Sequence, residues 1–136
     1  MTAHHHFVRA ALRIACVTAG AAVLLVAPAA ADTLDGKRFE GVFLAKGKTR
    51  GDADTLTFRS GRFHSSACDQ YGYSDAPYTT TVEGNATRFD AETESPKYGK
   101  LRWTGYIRGD KLDATVMMIQ DGKPPQENWV AAGLKK

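Results

Sequence analysis

The chain has 136 residues, 43% of them hydrophobic, with 18 Lys and Arg against 15 Asp and Glu. That is enough for one domain with a packed core and too little for two. The formal charge of +3 falls to a net of one once Arg9 and Arg13 are set aside with the first 31 residues, and the remaining charges are interspersed in sign, which leaves no basic footprint for nucleic acid.

Arg9 and Arg13 precede an apolar run over residues 14–26, and Ala29-Ala30-Ala31 follows it. This is the order of a secretory signal peptide, so residues 1–31 are expected to be removed and the chain exported, to the periplasm or outside the cell. The run is too short and alanine-rich for a membrane span, and Cys16 lies within it, away from a lipidation boundary. Cys16 and the His4-His5-His6 triplet leave with the signal. Residues 32–136 are expected to form a single β-barrel-like domain with Cys68 as its one thiol. It has no internal disulfide, and only a Cys68-linked dimer could give it one between chains.

From there the chain alternates apolar and polar residues in short runs separated by glycine-containing turns, the period of antiparallel strands. A turn at Ser60-Gly61 pairs Phe58 with Phe63 and Leu56 with Ser65. One at Gly84-Asn85 pairs Val82 with Thr87 and Thr80 with Phe89. The third, at Gly109-Asp110, sets Ile107, Gly105, Trp103 and Leu101 opposite Leu112, Ala114, Val116 and Met118, with polar pairs on the other face. A one-residue slip would bury charge, so this register is strongly specified. With runs near residues 37–45 and 127–134 the total is about eight strands, with turns spaced as in a sandwich or barrel. The simplest arrangement is an up-and-down meander closed into a small lipocalin-like barrel, which removes exposed edges. The inward set is then Phe39, Phe43, Leu56, Phe58, Phe63, Tyr78, Val82, Phe89, Trp103, Ile107, Leu112, Val116, Met118 and Trp129.

Strand logic fails over residues 63–73, Phe-His-Ser-Ser-Ala-Cys-Asp-Gln-Tyr-Gly-Tyr, which hold the only His and Cys after the signal. Ser66-x-x-Asp69 is a helix-start pattern and Gly72 a stop, so a single helical turn is expected near residues 66–72, with Cys68 at its second position. A helix start favours thiolate, and Asp69 opposes it. In a strand, His64 and Cys68 would stand about 13 Å apart; in a helical turn they come within reach. His64, Cys68 and Asp69 are therefore the redox or metal candidates, although two firm ligands are few for zinc. The alternative is a capped, packed turn sealing one barrel end.

Tyr71, Tyr73 and Tyr78 are candidates for a pocket mouth, and with Trp103 and Trp129 they form the expected ligand-binding set. Met117 and Met118 point to opposite strand faces and make no copper pair. Glu92 and Glu94 share a solvated face with Asp90 and form no acid and base pair. Asn85-Ala86-Thr87 matches a glycosylation pattern but sits in a tight hairpin. Phosphate loop, catalytic triad and Cys-x-x-Cys motifs do not occur, and no cofactor is implied.

Leu34-Asp35-Gly36-Lys37, Asp54-Thr55-Leu56-Thr57-Phe58, Phe63-His64-Ser65-Ser66-Ala67-Cys68-Asp69, Ala76-Pro77-Tyr78 and Gly109-Asp110-Lys111-Leu112 resemble the sequences of a group of small exported bacterial β-proteins marked by Phe-His-Ser-Ser-x-Cys. That resemblance implies export and a β-fold and carries no assigned activity. Likeness to lipocalins is architectural only, because their Gly-x-Trp signature is absent and fold alone does not set function. The reading is a non-enzymatic module for a small apolar or amphipathic ligand; its competitors are a thiol or metal protein and a barrel filled by its own side chains, which eight strands permit.

Overall fold

The computed structural model describes residues 33–136; the export signal expected over residues 1–31 lies outside the described residues. Eight antiparallel strands follow in order: β1 Arg38–Leu44, β2 Asp52–Arg59, β3 Arg62–Ser65, β4 Ala76–Glu83, β5 Ala86–Ser95, β6 Gly99–Arg108, β7 Lys111–Ile119 and β8 Gln126–Leu134. Each pairs with its sequence neighbour, and β1 pairs with β8 to close the barrel. A six-residue 3-10 helix, Ser66–Tyr71, interrupts the meander between β3 and β4.

Hairpin chemistry sets the register. Ser60 and Gly61 both have positive φ, as a type I′ turn demands, whereas at Gly84-Asn85 and Gly109-Asp110 only the glycine does, as in type II′. These two-residue turns gather at one end of the barrel, called here the hairpin end, and produce the expected pairs Phe58 with Phe63, Thr80 with Phe89 and Trp103 with Val116. The longer connections gather at the other, the loop end.

The middle of the barrel is solid with aromatic rings. Phe58 stands 5.0 Å from both Tyr78 and Phe89 and 5.3 Å from Phe63, while Phe63 meets Trp103 at 4.8 Å. Gly105 makes this possible, because a Cβ there would collide with the Phe89 ring. Trp103 donates its indole N–H to Thr93 Oγ1 at 3.1 Å, which satisfies its one polar atom in the core. At the hairpin end, Leu34 packs beneath the plug and Asp35 accepts from Tyr78 Oη at 2.7 Å and from the Gly61 N–H.

Two residues expected inside lie elsewhere. Val82 keeps the inward phase but is 75% exposed, because the β4–β5 hairpin runs past the end of the closed core. Trp129 points outward and is 40% exposed: β8 pairs Trp129 with the outward Thr115 and sets Asn128 opposite the buried Val116, so Asn128 and Val130 take the inward positions. Its indole N–H donates to Glu127 Oε1 instead.

Candidate functional site

The ladder between β3 and β4 is the barrel's shortest, held only at Arg62 with Pro77 and Phe63 with Ala76. Above it the chain leaves the sheet, and the 3-10 helix fills the gap. What pins that helix is a side chain from the neighbouring strand. Asp54 of β2 is buried, and its carboxylate accepts from Ser65 Oγ at 2.8 and 2.9 Å and from the Ala67 N–H at 3.1 Å. Ser66 does not cap its own helix as the Ser-x-x-Asp pattern suggested; the N-cap is Ser65, with no side-chain cap bond, and Cys68 is the third helical residue, not the second. Ser66 Oγ turns back to accept from the Thr55 N–H at 2.8 Å. Gly72, in the left-handed region, ends the helix as expected.

This anchoring separates the redox candidates. His64 remains in β3 opposite Thr57, and its Nε2 lies 2.6 Å from Asp69 Oδ1 on the outer surface. Cys68 turns inward and is 6% exposed, with Sγ 3.3 Å from Ser65 Oγ. The Ser65 hydroxyl, whose one proton also serves Asp54, is the donor within reach of the sulfur. Burial pushes the Cys68 thiol up from 9.0 to about 11; Ser65 opposes this when its proton turns to the sulfur, and the charges of Asp54 and Asp69 add to the rise. Among the described residues, no three His, Cys, Asp or Glu side chains are grouped to hold a metal. A buried thiol is also poorly placed for a link to a second chain.

Above the aromatic plug the loop end opens into a cup of about 350 Å³, within the range of small-molecule sites. Its floor and strand walls come from Phe43, Leu101, Met118 and Asn128, and its other side from Ala67, Cys68, Tyr71 and Tyr73 of the helical connection with Tyr98 of the β5–β6 turn. Asp52 and Lys123 stand at the rim. The tyrosines are tied to the β5–β6 turn and its flank: Tyr73 Oη donates to the Tyr98 carbonyl at 3.2 Å, Tyr71 meets the Tyr98 ring at 5.6 Å, and Ser95 Oγ donates to the Tyr71 carbonyl at 2.7 Å.

The five expected ligand contacts therefore divide. Tyr71 and Tyr73 line the cup. Trp103 lies just beneath it, 6.0 Å from Phe43. Tyr78 belongs to the opposite end with Asp35, and Trp129 lies beside a separate shallow groove on the outer sheet, shared with Val42 and Tyr106. Sequence reasoning missed Asp54 and Asn128. Asn128 is 0% exposed; its Oδ1 accepts from the Lys46 N–H at 3.1 Å and from Gln126 Nε2 at 3.0 Å, and its Nδ2 has no partner. A polar residue at an inward β position was the available signal.

Comparison of the chain with protein-family models, curated proteins and solved structures gave no match, so the functional case stands on this geometry.

Proposed function

We propose that the protein is an exported, non-enzymatic β-barrel module, akin to the small exported β-proteins its Phe-His-Ser-Ser-x-Cys motif resembles, that holds a small apolar or amphipathic molecule in the loop-end cup. The observation that carries this reading is the cup itself. An eight-stranded barrel can be filled completely by its own side chains, and here a cavity remains above Trp103, bordered by the inward side chains of Phe43, Leu101 and Met118. Apolar walls with a few fixed polar groups are the usual make-up of a ligand site. The motif then has a structural role, since its Ser65 and Cys68 latch the helical wall to Asp54. A thiol held up near 11 is almost wholly protonated at neutral pH, which disfavours the redox alternative.

Titration with butylbenzene, followed by calorimetry, tests the reading. One molecule is expected to bind per chain, and Met118→Trp, which puts an indole into the cup from its strand wall, is expected to weaken binding at least about tenfold with the barrel intact. Unchanged affinity in a folded Met118→Trp variant would exclude the cup as the site. Export is tested separately by the mass of the exported chain, which should begin at Asp32.

A further inference from the structure

Asn128 is the one side chain among the described residues with a buried nitrogen or oxygen atom that lacks a partner. Strand phase directs it into the barrel, opposite Val116 and level with the cup. Its orientation is fixed by its neighbours: the Lys46 backbone N–H can only donate, so the atom facing it must be Oδ1, and the amino group is the end left buried without a partner. Phe43 and Leu101 around the cup carry no side-chain acceptor, and neither the weakly accepting Met118 sulfur nor the Tyr73 hydroxyl, which donates to the Tyr98 carbonyl, is hydrogen-bonded to Nδ2.

We infer that the cup takes an uncharged molecule with a carbonyl acceptor (ketone, aldehyde, ester or amide) on an apolar body, and that Asn128 Nδ2 is the donor that recognises the carbonyl. This rests on the cup being the binding site and specifies what it selects. A buried donor left unpaired is costly, and a ligand that supplies an acceptor recovers that cost on binding. A carboxylate is disfavoured, because a single neutral amide donor does not offset the desolvation of a charge, and Asp52 at the rim balances Lys123. The volume of about 350 Å³ equals about a dozen waters of the liquid, which suits a ligand of similar heavy-atom count.

Three probes with one apolar body separate the possibilities: benzylacetone, a ketone; butylbenzene, the hydrocarbon; and phenylbutyrate, the anion. Binding to the exported chain is measured by calorimetry, and the Asn128 side-chain amide is followed by nitrogen–proton NMR. Benzylacetone is expected to bind about tenfold tighter than butylbenzene and to shift the Asn128 NH2 resonances, which butylbenzene leaves in place. In Asn128→Leu the ketone preference is expected to vanish while butylbenzene still binds. Asn128→Asp keeps the acceptor for Lys46 and Gln126 and removes Nδ2, so it gives the same comparison if the leucine variant fails to fold. Equal affinity for ketone and hydrocarbon in the native protein, as when a resident water already satisfies Nδ2, overturns the inference and leaves the cup standing. Tightest binding of phenylbutyrate overturns it too. If none of the three binds, the cup reading falls and this inference with it.

Discussion

Cys68 shows how far a residue's chemistry depends on neighbours that sequence does not place beside it. Read along the chain, a thiol near a helix start and four residues from a histidine invites a reactive pair. In the fold, Asp54, fourteen residues earlier, takes the donors that would have favoured thiolate, and the histidine is bound to Asp69 on the far side of the strand. The sign of the resulting pH dependence is definite. Between pH 9.0 and about 11 the unfolded chain gives up a proton that the native thiol keeps, so the unfolded state is favoured increasingly across that window. Stability should fall as pH rises through it, by about 3 kcal/mol if the shift is fully expressed, and level off above. Urea midpoints measured from neutral to alkaline pH should show this slope in the native protein and a shallower one in Cys68→Ala. Equal slopes would mean that the thiol is not buried as described. Asn128 was hidden for a related reason: one asparagine in Glu127-Asn128-Trp129-Val130 reads as a polar interruption beside an obvious tryptophan, and only pairing with β7 shows that the asparagine is the inward residue.

At the scale of elements the sequence was far more legible, because hairpin turns and period-2 alternation act over a few residues and leave few registers open. All pairs of the Gly109-Asp110 hairpin are found as the alternation requires. The errors fall where a strand lacks a tight turn to fix its phase, as in β8 after Lys123-Pro124-Pro125, or where a hairpin outruns the core, as at Val82. The phase of β6 gives a direct stability test. Trp103→Ala removes a fully buried ring at the cup side of the aromatic plug and should cost about 3 to 5 kcal/mol, whereas Arg102→Ala on the outer face, exposed and paired with Glu92, should cost less than about 0.5 kcal/mol. Denaturant midpoints for the two variants decide it, and comparable losses would contradict the assigned phase.

Over the whole molecule the closed barrel is divided along its axis. Tight turns, Leu34 and the Asp35–Tyr78 hydrogen bond close the hairpin end; aromatic rings fill the middle; and the longer connections, held by Asp54 and by Ser95, surround an apolar cup at the loop end. Alternation and turn spacing pointed to the barrel class, but they could not say where side chains stop filling the interior, since that depends on how ring volumes and Gly105 are distributed in three dimensions. A second concavity, the outer groove beside Val42 and Trp129, is the natural competitor for an apolar molecule. The most direct measurement is therefore a backbone-amide NMR map of the protein titrated with butylbenzene. Perturbations should cluster at Ala45, Ala67, Cys68, Tyr98 and Leu101, with the hairpin-end turns at Gly61, Gly84 and Gly109 unmoved. Shifts concentrated at Val42, Tyr106 and Trp129, or no saturable shifts at all, would contradict a binding site in the cup.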